Sequence, residues 1–378
     1  MKIAFTQAEQ EIQKVAQAFA ENEVAPLAKE IDEQARFPEE TFDKMVKLGF
    51  TGIGIPTEFG GSGGSTVAKV ILVSEIAKKC ASTAAILSIH GVFQQGVYQF
   101  GTKEQKEFYL PQVTSGGKHG AFALTEPDAG SDAAAVKTTA VLDGDEYVLN
   151  GTKCFITGGN RADYVLVIAS TDRSKGVKGL TAFIVPKEAP GFSVGKVEDK
   201  FGIRASDTAE LIFQDCRIPK ENMLGKEGAG FRYAMILLDA ARIGIAAQAV
   251  GIAEGALELA TQYMNERVQF GKPIAALQGL QWYIADMATR TEAAKWLTFR
   301  AASLHDEGAP FGKEAAMAKL FAAETSRFVA NLAQQIHGGY GYMRDYPIER
   351  YVRDAKVTEV YEGTSEIQKV VISRYVLG

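Results

Sequence analysis

The 378-residue chain is poor in the residues that carry metal and thiol chemistry, with 4 histidines and 3 cysteines. Cys80, Cys154 and Cys216 are an odd number with no CxxC pair, which argues against a disulfide framework and a thiolate zinc site. His90, His119, His305 and His337 are scattered without HxxxH or HExxH spacing, so no histidine metal site is expected. There is no GxSxG, which disfavours the common type of serine hydrolase. No GxGxxG follows a predicted strand, so a Rossmann nucleotide site is not supported. A net charge of -5 offers no polycationic face for nucleic acid or an anionic membrane. No run approaches ~18 uninterrupted apolar residues, and the start Met1-Lys2-Ile3-Ala4-Phe5-Thr6-Gln7 has no apolar signal core. A reduced, cytoplasmic location fits these absences.

What is present is ordinary globular composition, 46% hydrophobic and 23% charged, in a chain long enough for two or three domains. Residues 1–118 read as helical. Thr6 and Glu9 form a capping box ahead of Ile12, Val15 and Phe19, and the glycine-rich stretch 59–65 reads as a flexible turn before a helix near Thr66. From 119 to 222 short alternating runs appear at Lys137–Leu142, Tyr147–Leu149 and Tyr164–Ile168, with a hairpin turn at Asp143-Gly144. These predict an antiparallel β-domain. From 223 to 378 long Ala/Leu/Ile-rich stretches at 229–265, 275–307 and 310–337, and a shorter helix after 363, predict a four-helix bundle. The fold class is α+β, in the order helical, β, helical.

Chemistry is concentrated at Tyr361-Glu362-Gly363-Thr364-Ser365-Glu366. A carboxylate stands directly before a turn that opens a helix, with Thr364 or Ser365 as N-cap and Ile367, Val370 and Val371 at helical spacing. Gly363 leaves the backbone open to a ligand, and a carboxylate beside free N–H donors suits proton abstraction next to a carbonyl. The plain alternative is a solvated glutamate at the positive end of a helix. In Phe122-Ala123-Leu124-Thr125-Glu126-Pro127-Asp128-Ala129-Gly130-Ser131-Asp132, hydroxyls and exposed N–H groups suit a loop around a planar ring and a phosphate, or form an ordinary turn. Phe155 and Thr157 lie two apart on one strand face, able to stack on and donate to such a ring, or simply to pack. Arg267 precedes a Phe-Gly-Lys-Pro loop where its guanidinium can grip phosphate or sit in solvent. Asp239 and Arg242 make at least an i,i+3 helix pair.

Six pieces in order resemble the acyl-CoA dehydrogenase family over essentially the whole chain: Leu124-Thr125-Glu126-Pro127, Ala129-Gly130-Ser131-Asp132, Phe155-Ile156-Thr157, Arg267-Val268-Gln269-Phe270-Gly271, Gln335-Ile336-His337-Gly338-Gly339 and Tyr361-Glu362-Gly363-Thr364. The chain looks most like the bacterial short-chain (butyryl-CoA) branch. The resemblance implies FAD as cofactor and Glu362 as the base that takes the α-proton of a short-chain acyl-CoA while the β-hydrogen leaves as hydride to flavin N5. It implies flavin contacts from Phe122, Leu124, Thr125, Phe155 and Thr157. Ser131 would serve the pyrophosphate or the CoA. Arg267, Gln269, Phe270, Gln278, Gln335, Gly338 and Gly339 would bind the ADP half from a neighbouring subunit, and Thr364 and Glu366 would also touch the cofactor. Asp239, Arg242, Tyr361 and Gly363 would meet the acyl-CoA. A homotetramer and an electron-transferring flavoprotein as partner follow from the same resemblance, with no nucleic acid or membrane, and the reaction can run in either direction.

Within the family, isovaleryl and long-chain types place the catalytic Glu immediately before the arginine matching Arg242. Here that residue is Ala241, so Glu362 is the base. Glutaryl-CoA types hold a distal carboxylate with an arginine in the helix matching 80–100, a segment that here has no Lys or Arg and only His90. Asp128 departs from the usual Gly or Asn and adds charge near the flavin loop or faces solvent. Alternatives are a medium- or branched-chain dehydrogenase, or an inactive acyl-CoA- or flavin-binding paralogue.

Overall fold

The computed structural model describes residues 5–378. Met1–Ala4, part of the chain start read above, lie outside the described residues. The first part is built from α1 (Gln7–Phe19), α2 (Ala28–Glu33), α3 (Glu39–Lys47), α4 (Thr66–Ala77), α5 (Ala81–Phe100) and α6 (Lys103–Thr114). The capping box at Thr6 forms in full, the Thr6 hydroxyl accepting from the Glu9 N–H and the Glu9 carboxylate from the Thr6 N–H. Val15 proves exposed, and Ala16 and Phe19 supply the buried stripe. A second capping box, which the sequence reading passed over, opens α6 at Thr102 and Gln105. The stretch 59–65 forms the turn expected before α4, held by its own backbone contacts. A side chain on Gly61 would run into the Ile55 carbonyl, which also accepts the Gly63 N–H at 2.9 Å. Close backbone approach requires glycine at 61.

The middle part is one eight-stranded sheet of β1 (Gly120–Ala123), β2 (Thr139–Asp143), β3 (Glu146–Thr157), β4 (Tyr164–Ser170), β5 (Leu180–Pro186), β6 (Phe192–Val197), β7 (Thr208–Pro219) and β8 (Met223–Leu224). The order is β6-β7-β3-β2-β4-β5-β8, with β1 on β4. Most pairs are antiparallel as expected, but β1 runs parallel to β4. The β2–β3 hairpin intervenes in sequence between them and supplies the long crossover a parallel pair needs. Asp143 pairs with Glu146, so the hairpin turn is Gly144-Asp145, one residue beyond the expected position, with Gly144 at φ 63°.

The last part comprises α7 (Gly230–Glu266), α8 (Gln278–Asp306), α9 (Gly312–His337), α10 (Ile348–Val357) and α11 (Ser365–Leu377). Helices α7, α8, α9 and α11 form the bundle, and α7 also packs on α4 and α5. Among the described residues α7 is the helix long and apolar enough to cross a membrane, yet most of its apolar length is buried inside the protein. Helix α10 was not expected, because buried Arg350 and Asp354 interrupt its apolar pattern of Ile348, Tyr351 and Ala355.

The loop after β1 is tied down by a buried ion pair. Lys153 on β3 is 0% exposed and donates to Glu126 at 2.8 Å and to the Leu124 carbonyl at 2.9 Å. Glu126 also accepts the backbone N–H groups of Lys137 and Thr138 at 2.6 and 2.9 Å. Burial opposes its ionisation, but Lys153 and these donors outweigh it, so its pKa is lowered. Removing one partner leaves the other charge buried and unpaired. Lys153→Ala should therefore cost about 3–5 kcal/mol of unfolding free energy in a urea titration, and Glu126→Gln in the same chain should recover part of that loss.

Candidate active site

Between α10 and α11 the chain turns through two left-handed residues, Glu362 at φ 53° and Gly363 at φ 94°. For a residue with a Cβ this costs about 1–2 kcal/mol, so neighbouring contacts must hold it. They are specific. Lys319 of α9, 0% exposed, donates to the Gly363 carbonyl at 2.7 Å. Gln368 of α11 donates to the same oxygen at 2.9 Å and to the Glu362 carbonyl at 3.1 Å. The Tyr361 hydroxyl is committed to Gln248 of α7, and the Thr364 hydroxyl accepts the Ile367 N–H at 3.4 Å, capping α11.

This turn leaves the Glu362, Gly363 and Thr364 N–H groups without an acceptor among the described residues. A carboxylate thus stands beside open donors, the pairing the sequence predicts. Burial raises the Glu362 pKa, while Arg242 and Lys319 pull it down without cancelling the rise. Arg242 lies almost wholly buried on α7, paired with Asp239 one turn before it, and its Nε has no partner. Burial also raises the Asp239 pKa, against the pull of Arg242. Glu366 is exposed on the first turn of α11. Sequence reading missed Lys319. Its signal was a lysine set among Ala315, Ala316, Ala318, Ala322 and Ala323 on the buried stripe of α9, where a charge must have a partner.

A second group forms where β1 ends beside β3. The Cys154 N–H donates to the Thr125 carbonyl at 3.0 Å, which draws Leu124 and Thr125 alongside Phe155 and Thr157. A bulge between Lys153 and Ile156 puts Phe155 at φ 57°, 65% exposed, while Ile156 turns into the core. Phe155 therefore stands on the open side, while Thr157 is half-buried and lines a small cavity with His119 and Arg161. Phe122 is half-buried on β1, and Ser131 is exposed further round the loop. Asp128 faces solvent and pairs with Lys137 at 2.8 Å, which lowers its pKa.

A third group lines a cleft of about 600 Å³ at the C-terminal end of α7: Arg267, Gln269, Phe270, Gln335, Gly338 and Gly339. Gln278 opens α8 between Leu277 and Leu280, which line the same cleft. The sequence reading missed Tyr340, whose ring lies 5.4 Å from the Arg267 guanidinium, and Tyr263, stacked on His337 at 4.3 Å. Apart from their own chain neighbours, no described residue stands within 4 Å of where a Cβ would be on Gly338 or Gly339, so both present bare backbone. The third group stands apart from the first within a chain. Arg267 follows Arg242 by a full run of α7, about 37 Å at the helical rise, so the cleft is remote from Glu362.

Residues 6–117, 121–216 and 228–377 match the N-terminal, middle and C-terminal domains of acyl-CoA dehydrogenase. The chain belongs to the acyl-CoA dehydrogenase family. The Anaerotignum propionicum acryloyl-CoA reductase (NADH) is 63% identical, over 100% of this chain and 96% of that one. Butyryl-CoA dehydrogenase from Megasphaera elsdenii superposes with a TM-score of 0.98 at 45% identity, covering 100% of both chains. A chain in the structure of the electron transferring flavoprotein of Acidaminococcus fermentans superposes with a TM-score of 0.99 at 50% identity, also over 100% of both. Enzymes of this family are FAD-dependent. The residues here fit that group: an exposed aromatic and hydroxyls on β3 for a ring, and a cation, bare glycines and a wide cleft for a dinucleotide tail.

Lys319 gives the site a measurable signature. Lys319→Gln keeps a donor for the Gly363 carbonyl but removes a positive charge that favours ionised Glu362. The acid limb of the kcat/KM profile for acyl-CoA oxidation should move to higher pH, by about one unit. Lys319→Met, which also removes the donor, should lower turnover across the whole pH range.

Proposed function

We propose that this chain catalyses α,β-dehydrogenation of short-chain acyl-CoA thioesters, interconverting butyryl-CoA and crotonyl-CoA, with Glu362 as the base. The observation that carries this reading is the pinned left-handed turn, which holds a desolvated carboxylate next to unpaired N–H donors. Glu362 takes the proton from the α-carbon. As the thioester oxygen gains negative charge, the Glu362 N–H and its neighbours stabilise it. Burial makes the carboxylate a stronger base than the ~4.3 of a free glutamate allows, and Arg242 and Lys319 keep it ionised enough to act. When bound, FAD supplies the acceptor for the β-hydrogen, taken as hydride, and the α,β double bond forms between the two carbons. Thr125, Phe155 and Thr157 would hold its ring, with Phe122 and Leu124 behind them and Thr364 and Glu366 at its edge. Ser131 would reach the pyrophosphate or the CoA, and Asp239, Arg242, Tyr361 and Gly363 the acyl-CoA.

Similarity to butyryl-CoA dehydrogenase supports a short acyl chain. Similarity to acryloyl-CoA reductase supports operation toward the saturated thioester as well, with Glu362 then giving its proton back. The electron transferring flavoprotein structure supports such a flavoprotein as redox partner. The distance between the 267–339 cleft and Glu362 supports a homotetramer in which each cleft serves a neighbouring subunit. A cytoplasmic location completes the reading. Within it, 1–118 and 223–378 frame the substrate, and 119–222 carries the flavin loops.

The test is an anaerobic titration of the oxidised holoenzyme with butyryl-CoA, following the flavin absorption. Bleaching should be prompt in the parent and slowed by about 10³-fold or more in Glu362→Gln, with flavin still bound. Bleaching at the parental rate in that variant would falsify the assignment of the base. Arg267→Ala should separate the two functions: flavin content per chain should fall at least about fivefold on dilution, while added FAD restores turnover.

A further inference from the structure

A small cavity between α4, α5 and α7 holds a charge that no protein group answers. Lys69 of α4 reaches into it, and its Nζ lies 2.5 Å from where a Cβ would stand on Gly91 of α5. Glycine at 91 is what leaves room for the amine. Among the described residues nothing pairs with it, and burial alone pushes its pKa down to about 8, so it stays mostly protonated at neutral pH. Ser88, one turn before Gly91, lines the same cavity, and its buried hydroxyl also lacks a partner. The facing wall on α7 is apolar, formed by Leu237, Ala241 and Gly244. The volume is about 40 Å³, enough for roughly three water molecules.

This cavity and the Glu362 site share helix α7. Ala241 precedes Arg242, which acts on Glu362, and Gly244 lies one turn before Gln248, which holds Tyr361. The inference rests on the short-chain acyl-CoA reading above and takes this space as the room for the tail of an acyl group whose α-carbon lies at Glu362.

We propose that Lys69 sets the upper limit of acyl length, admitting chains of about four carbons or fewer because its ammonium needs the water that a longer tail would displace. A buried ammonium stripped of its hydrogen-bond partners loses more than a methylene gains by burial. Selection therefore comes from an unfavourable contact with the wrong substrate, not from an added favourable contact with the right one. The helix matching 80–100 supplies no cation to this end of the site, and His90 is neutral there, burial pushing its pKa down to about 4. Lys69 enters from the neighbouring helix instead.

The experiment compares the parent holoenzyme with Lys69→Met and Lys69→Ala, using saturated acyl-CoAs of increasing length. It measures kcat/KM for each and, by calorimetry, the Kd of unreactive S-alkyl-CoA thioethers of matching length. The parent should lose about tenfold or more from butyryl-CoA to hexanoyl-CoA. Lys69→Met, similar in bulk but uncharged, should instead gain up to about fourfold per added methylene, the worth of burying one. The thioether affinities should follow the same trend. An unchanged length profile in Lys69→Met, with butyryl-CoA still bleaching the flavin, overturns the role of Lys69 and leaves the dehydrogenase reading intact. Widening in Lys69→Ala alone would mean that bulk, not charge, sets the limit, and also overturns it. So does a parent that prefers 4-hydroxybutyryl-CoA or glutaryl-CoA to butyryl-CoA, since Lys69 would then recruit a polar tail. If butyryl-CoA bleaches none of the three proteins, the functional reading fails and this inference falls with it.

Discussion

Helix α7 is the constraint on which the other elements depend. It contributes buried side chains to three of the four hydrophobic clusters, packing against the N-terminal helices, the sheet and the other bundle helices at different points along its length. A helix buried on most sides cannot be amphipathic, and α7 is apolar and small-residue-rich almost all round. Gly251 and Gly255 have no room for side chains, because the backbone of α4 and the residues after it press against them. The helical and β parts seen in sequence are therefore not three independent cores. Separated from α4 and α5, the bundle would expose the face of α7 that they cover.

Helix α10 adds a polar clasp to this apolar spine. Asp354 accepts the Ile203 N–H from the β part at 2.6 Å, Arg353 pairs with Asp32 of α2 at 2.6 Å, and Arg350 donates to the Lys79 carbonyl at 3.0 Å. Each of these groups is largely or wholly buried, so each interaction depends on the others excluding water. The Glu362 turn follows directly after this clasp. Its geometry is thereby referred to all three parts of the chain, which is how a strained backbone can be held to a fixed position.

Strain and site coincide elsewhere too. Among the described residues, the non-glycine ones with positive φ are Ala35, Phe155, Ile203, Asp215, Phe270 and Glu362. Three of these, Phe155, Phe270 and Glu362, are residues proposed above to act on cofactor or substrate. A left-handed phenylalanine or glutamate is unfavourable in isolation, so local preference did not choose these conformations. In β3 the bulge turns Phe155 outward while its neighbours stay buried. At Phe270, 88% exposed, no packing within the chain explains the conformation. Departures from local rules are expected where function, not the fold, sets the requirement, and half of those here fall at residues proposed to meet a ligand.

That division explains what could be read in advance. The order of helical and β parts, the capping box at Thr6 and the opening of α11 are local, set by side-chain periodicity and caps within a few residues. Glu362, Thr125, Thr157 and Arg267 could be singled out in advance because each sits in a short motif. Lys153, Lys319 and Lys69 were not. In sequence each is one lysine among many, and only Lys319, set in the alanine stripe of α9, carries a mark of its burial. Lys319 meets Gly363 across 44 residues, and Lys153 meets Glu126 across 27. A lysine becomes a structural or selective element only when folding removes its water, because desolvation turns a cheap surface charge into a demand for a particular partner. Two of these three found partners inside the chain and fix loops. Lys69 found none, so its requirement is left to be met by whatever enters the cavity it faces.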